Sequence, residues 1–352
     1  MTHKHCLILL LGLFLVSPHL AAGGEPRYPI LDSKFPAAEA KLGWIDNERV
    51  IFHGYDVGKM TQPSPGEGHP TAAEGLFIWD TAKGTVKKYW DIDGPVPLCV
   101  FRGRIFMSQK LKGKEKAWLL VSGVLGKEEQ KEVTDRVSVN GHSCQLSDQR
   151  PSWMKEDKYR RLPLLEEHGY VDFGELSMDP AKSRPLVLYP PGSKDGLALP
   201  LKSDEVDVPP IYVEFEDAYL LRARQYTSDA VPAWLLKPNG TVSKIFEPQG
   251  QAWERIGWSG IRLTKRGLFL VGGRAGYDTM GTAGGYLLVG KYPQRLIGGL
   301  VWNESVSPDG CKVAFVHVPH SQAGADSFRA LQVGKPGTRT LKMINLCAGK
   351  GE

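Results

Sequence analysis

Apolar and polar positions along the chain spell one phrase several times: an apolar strand, a turn, a second apolar strand, a polar loop, a third strand, a turn and a fourth strand. The third strand and the turn behind it are the clearest part. They read LFIWDTAKGTVKKYW from Leu76, AWLLVSGVLGKEEQKEV from Ala117, AWLLKPNGTVSKIF from Ala233, GYLLVGKYPQRLI from Gly285 and RALQVGKPGTRTLKMI from Arg329. In each, an apolar run meets a Gly-bearing turn and then a strand alternating polar with apolar, which is a hairpin pattern. Two further strands precede each copy: KLGWID/ERVIFHG, VPLCVF/RIFMSQ, IYVEF/AYLLRA, SGIRLT/GLFLVGG and WNESVS/CKVAFVH. A weaker copy, VDFGELS/RPLVLY/GLALPL, runs from Val171 to Leu201.

The marker positions Phe77, Trp118, Leu197, Trp234, Tyr286 and Ala330 stand 41, 79, 37, 52 and 44 residues apart. Most of these intervals lie near the roughly 40 to 45 residues of a propeller blade. One four-stranded unit cannot cover both of its faces, and radial stacking of such units covers them and leaves few edges open. The expected fold is therefore all-β: a propeller of four-stranded antiparallel blades, six by this count. Seven remain open, because the 79-residue interval is nearly two periods. Residues 138–170 are charged (MKEDKYRR, LLEEHG) and poor in β-branched residues, which fits an insertion better than a degenerate blade.

Within SVSPDGCKVAFVH, the residues Ser307-Pro308-Asp309-Gly310 resemble the SPDG phrase of TolB-type propeller repeats, in which Pro-Asp-Gly turns the first strand into the second. LTKRGLFLVGG and SMDPAKSRPLVLY resemble decayed versions. The resemblance implies a propeller in an exported protein. It implies no single activity, since that superfamily includes docking platforms, sensors and domains of hydrolases.

The ends and the cysteines agree with export. Lys4, flanked by His3 and His5, precedes the apolar run CLILLLGLFLV of residues 6–16, then Ser17-Pro18 and the small residues Ala21, Ala22, Gly23 and Gly24. Residues 1–22 are the expected signal peptide and residues 23–352 a single propeller domain. The apolar run is far short of the roughly 20 residues of a spanning helix, so no membrane-spanning segment is expected. Cys99, Cys144, Cys311 and Cys347 then remain, an even set suited to two disulfides. Three pairings are open, the most local being Cys99 with Cys144 and Cys311 with Cys347. Asn239-Gly-Thr and Asn303-Glu-Ser are glycosylation sequons. The formal charge of +5 is spread along the chain without a basic stripe, which excludes nucleic acid as the first candidate partner.

Candidate chemistry concentrates in the long polar connections between second and third strands, which a propeller gathers on one face. His53, Asp56 and Glu74, with His69, flank the first connection, but their spacing fits no metal motif. Arg222, Arg224, Tyr226 and Asp229 mix guanidinium forks with a phenol and a carboxylate, suited to an acidic group. Arg274, Tyr277 and Asp278 sit in a Gly-rich stretch that lacks the Gly-Lys-Ser/Thr of a phosphate loop. His317 and His320 flank the last connection. No cofactor is implied, and GxSxG, HExxH and the sialidase Asp-box are absent. The sequence thus points to an exported binding module for a partner protein or a small or glycan ligand. The alternative is a propeller enzyme, a glycan-active hydrolase or lyase, with Asp56, Glu74 and Asp278 at the channel mouth.

Overall fold

A computed structural model describes residues 28–60, 72–92, 96–111, 118–133, 161–174, 183–223, 232–247, 258–273, 282–290, 292–319 and 339–348. The described strands form six antiparallel blades, each numbered outward from its innermost strand. Blade 1 holds the second half of β1 (Ile30–Trp44), then β2 (Arg49–Met60), β3 (Ala72–Asp80) and β4 (Thr85–Asp91). Blade 2 is β5 (Leu98–Phe101), β6 (Arg104–Lys110), β7 (Trp118–Val124) and β8 (Glu129–Val133). In blade 3 the strands are β9 (Arg161–Pro163), β10 (Tyr170–Asp172), β11 (Pro185–Tyr189) and β12 (Leu197–Lys202). Blade 4 comprises β13 (Val206–Val213), β14 (Ala218–Ala223), β15 (Ala233–Leu236) and β16 (Val242–Phe246). Blade 5 follows with β17 (Trp258–Thr264), β18 (Gly267–Gly272), β19 (Gly284–Val289) and β20 (Tyr292–Gly298). Blade 6 contains β21 (Leu300–Val306), β22 (Lys312–Val318), β23 (Thr340–Asn345) and the first half of β1.

The ring is closed by β1. Its first residues pair with β23, from Ile30 opposite Ile344 to Pro36 opposite Thr340, and its later residues pair with β2, from Ala37 opposite Gly54 to Trp44 opposite Val50. One strand is thus outermost in blade 6 and innermost in blade 1. The change of partner falls at an irregularity that suits its residues. Lys34 takes φ 54° while its N–H donates to Asp32 Oδ1 at 2.8 Å, and Pro36, with no N–H to give a ladder, sits where the register shifts.

Two strand assignments change. TRTLKMI, expected as the fourth strand of the last blade, supplies its third: β23 pairs directly with β22, and the N-terminal strand is the fourth. In the weak copy, the three expected strands from Val171 stand second to fourth, because β9 pairs with β10 inside them. Residues 161–170, within the stretch read as an insertion, thus belong to a blade; residues 134–160 lie outside the described ones. Three residues ending in Pro163 carry too little alternation to be read as a strand.

Apolar side chains fill the seams between blades. Trp44, Phe52, Phe77 and Trp79 of blade 1 meet Ala314, Val316 and Met343 of blade 6, and Leu220, Leu235 and Phe246 of blade 4 meet Trp258, Leu270 and Tyr286 of blade 5. Trp79, at the third-strand marker, is 1% exposed and serves packing. Cys311 and Cys347 are joined by a disulfide, and Cys99 is also disulfide-bonded.

The SPDG turn shows why its residues are needed. The Ser307 hydroxyl donates to Asp309 Oδ1 at 2.6 Å and accepts from Lys312 N–H at 2.9 Å, while Asp309 Oδ1 accepts Cys311 N–H at 3.0 Å. Gly310 has φ 74°, and the ring of Phe215, from blade 4, lies 2.6 Å from where a Cβ would stand. Gly310→Ala is expected to lower stability by about 1 to 2 kcal/mol through the left-handed backbone and displacement of Phe215, measured as a shift of the urea midpoint at unchanged slope.

Candidate functional site

The innermost strands converge on a cavity of about 320 Å³ at the axis of the propeller. Five blades supply its wall: Lys41 to Trp44 of β1, Leu98 to Phe101 of β5 with Arg102 after it, Ile211 to Val213 of β13 with Glu214 and Phe215 after it, Arg262 and Leu263 of β17, and Asn303 to Val306 of β21 with Ser307 and Pro308. The cavity therefore opens where first strands turn into second strands. That end lies opposite the long connections, because second strands run away from these turns. The volume falls in the range of small-ligand pockets.

Local backbone aims the polar residues here. β21 shifts register between Trp302 and Ser305, and Asn303 within that bulge takes φ 50°. A bulge re-aims side chains in this way, and one in the channel wall places Asn303 and Glu304 at the cavity. Glu304 meets Arg262 across the blade seam, Oε1 to Nη2 at 3.3 Å, and Arg262 Nε donates to the Glu304 carbonyl at 3.2 Å. Gly260 makes room for that carboxylate: a Cβ there would run into Glu304 Oε1. The sequon at Asn303 thus lies in the channel wall, whereas Asn239 is exposed in the turn between β15 and β16.

Arg102 forms the lip. It takes φ 47° in the β5–β6 turn, pairs with Glu167 of blade 3 at 2.5 Å, and donates to the Tyr212 hydroxyl of blade 4 at 3.3 Å. Its guanidinium lies 5.1 Å from the Phe101 ring centroid and 5.9 Å from that of Tyr212, within cation–π range. Tyr212 donates in turn to Asp217 Oδ1 at 2.7 Å, and burial, reinforced by that bond, pushes its pKa up to about 12. Behind it, the Tyr219 hydroxyl accepts the Leu165 N–H at 2.8 Å and shares a hydrogen bond of 2.9 Å with His168 Nδ1. Burial raises the Tyr219 pKa as well, so both phenols stay neutral at physiological pH. Glu214, on the short 3-10 turn Glu214–Glu216, is open to solvent on one side; the protein around it raises its pKa, against the opposing charge of Arg102. Lys41 adds a second exposed cation.

The described residues among those singled out from the sequence for binding lie away from this cavity. His53 and His317, expected at the start of polar loops, are strand residues, because β2 runs on to Met60 and β22 to Val318. Strand alternation turns both inward, at 1% and 3% exposure, so neither offers a ring edge to solvent. Both nitrogens of His53 lack a hydrogen-bond partner, and burial lowers its pKa to about 4. His317 meets the Gly298 carbonyl through Nε2 at 2.8 Å, and burial lowers its pKa too. Asp56 accepts from Lys88 Nζ at 2.9 Å, Glu74 stands opposite Tyr55 with its pKa raised by burial, and Arg222 pairs in register with Asp207 and Ala233. His69, Cys144, Arg224, Tyr226, Asp229, Arg274, Tyr277, Asp278 and His320 lie outside the described residues. Among the described residues, no three His, Cys, Asp or Glu side chains are grouped to hold a metal ion, and no helix is long and apolar enough to cross a membrane.

Arg102, Glu214, Arg262 and Glu304 are the charged residues that sequence reasoning missed. The one available signal was their shared place at or just after the first strand of each repeat, which puts them on one ring around the axis.

No protein-family model and no curated protein matches the chain. Solved structures of similar fold include the acylaminoacyl peptidase of Pyrococcus horikoshii, with TM-score 0.44, 10% identity, and coverage of 83% of this chain and 51% of that one. The oligogalacturonate lyase of Vibrio parahaemolyticus gives 0.38, 12%, 92% and 94%, and TolB of Acinetobacter baumannii 0.33, 13%, 86% and 67%. The chain spans about half the length of the peptidase. At such identities and TM-scores the likeness bears no argument about activity, and the propeller rests on strand order and register.

Proposed function

We propose that the protein is an exported binding module that receives a segment of a partner protein at the short-turn end of its central channel. The observation that carries this is the axial cavity, walled by five inner strands and rimmed by the exposed side chains of Lys41, Arg102 and Glu214. Export is supported by the N-terminal apolar run and by the disulfides, which persist in oxidising compartments. The long connections between second and third strands in the sequence, with Arg224, Tyr226, Asp229, Arg274, Tyr277 and Asp278, are a further candidate surface for the same partner.

A thermal-shift screen of the protein against peptides, oligosaccharides and organic acids tests this. A ligand at 100 times its dissociation constant adds about 2.7 kcal/mol of stability. Arg102→Ala removes an ion pair, a hydrogen bond and two ring contacts at the lip, so it is expected to weaken a stabilising ligand about 10- to 100-fold without unfolding the chain. A ligand that stabilises wild type and variant alike would remove the channel from the account. Turnover abolished by one carboxylate replacement would show an enzyme instead.

A further inference from the structure

We propose that the channel mouth takes a protonated primary amine, the lysine side chain of a partner protein, with its ammonium on Glu214. This rests on the channel as the binding site. The charges at the cavity are not equally committed. Arg262 is engaged by Glu304 and by two carbonyls, and Arg102 by Glu167, Tyr212 and two rings. Among the described residues, Glu214 has neither a hydrogen bond nor an ion pair to its carboxylate. Its position is nevertheless set, because the Asp217 N–H donates to the Glu214 carbonyl at 3.2 Å and closes the 3-10 turn.

The surroundings suit an ammonium on an alkyl stem. Phe215, next to Glu214 in the chain and half-buried, lines the cavity, and ring faces attract cations. Ile211 and Leu263, half-buried in the lining, offer apolar surface along which methylenes can lie while the charged head stays at the mouth. A compact ammonium with three donors needs one carboxylate, which is what Glu214 provides. A guanidinium would seek ring faces to lie on, and the edge-to-face pair of Phe101 and Tyr212 already carries that of Arg102.

The experiment is isothermal titration calorimetry of the purified protein with the blocked tripeptide acetyl-Gly-Lys-Gly-amide and its norleucine and glutamate counterparts. The lysine peptide is expected to bind at least about tenfold more tightly than the norleucine peptide, which keeps the stem and drops the charge. Glu214→Gln is expected to erase that preference, whereas Glu216→Gln, on the same turn, leaves it in place; matching melting temperatures confirm that both variants fold. Equal affinity for lysine and norleucine, tighter binding of glutamate, no binding of the lysine peptide, or an unchanged preference in Glu214→Gln would each overturn the assignment. If the amine assignment fails while Arg102→Ala still abolishes a ligand's thermal shift, the channel stands and only the ligand class falls. If the shift survives Arg102→Ala as well, the channel falls with it.

Discussion

Lowering the pH from 7 to 4 is expected to remove about 3 kcal/mol of folding stability through His53 alone. The ring is 1% exposed, neither nitrogen has a partner, and its pKa is lowered by burial from 6.5 to about 4. A proton on this ring would place a charge in the buried sheet opposite Leu76 with nothing to pair it. The unfolded chain protonates the same histidine near 6.5, so between the two values the unfolded state binds more protons. Stability therefore falls as pH falls through that window and is unaffected by this group above it. A difference of about 2.5 pKa units corresponds to about 3 kcal/mol. His317, also lowered by burial, adds in the same direction. The check is a set of urea unfolding curves from pH 7.5 to 4 for wild type and His53→Leu. Groups common to both cancel, so the variant should show the flatter profile, with the gap between the curves opening below pH 6.5. Parallel profiles would mean that the ring finds water or a partner in solution.

Removing the Cys311–Cys347 disulfide should have the other large effect. The bond spans 36 residues of sequence, and the loop-closure entropy it withholds from the unfolded chain corresponds to about 4 kcal/mol. Its position gives the loss a direction. Cys311 follows the SPDG turn, Cys347 follows β23, and the Leu346 N–H donates to the Cys311 carbonyl at 2.8 Å beside it. β23 is also the strand on which the N-terminal half of β1 closes the ring. The double variant Cys311→Ser, Cys347→Ser, which leaves no odd thiol from this pair, is therefore expected to lose about 4 kcal/mol in urea. It should also exchange the amides of residues 30–35 faster than those of blade 4. A loss below about 1 kcal/mol, or exchange raised uniformly around the ring, would refute the link between the disulfide and closure.

Much of this architecture was legible from residues alone, and the exceptions have particular causes. The pairs KLGWID/ERVIFHG and SGIRLT/GLFLVGG are first and second strands of blades 1 and 5, and LFIWD and GYLLV are their third strands. SPDG is a turn between first and second strands. Each of these depends on alternation and turn chemistry within about ten residues. The site was not legible in that way. Trp44 donates from Nε1 to the Ser305 carbonyl at 2.9 Å across 261 residues of sequence, and Asp309 N–H meets Asn47 Oδ1 at 2.9 Å across 262. Apart from their shared place at or just after a first strand, nothing near Lys41, Arg102, Glu214 or Glu304 in the chain marks them as neighbours of one cavity.

What the amino-acid order determined by itself was therefore the strands, their turns, the repeat and so the propeller, because side-chain alternation and glycine-dependent turns are local properties of the backbone. Tertiary structure alone decided which strand closes the last blade, that His53 and His317 face inward, and that the inner strands enclose a charged, aromatic cavity at the short-turn end. A period of two states that a residue faces one side of a sheet, not what covers that side, and ladder hydrogen bonds between backbones are nearly blind to sequence.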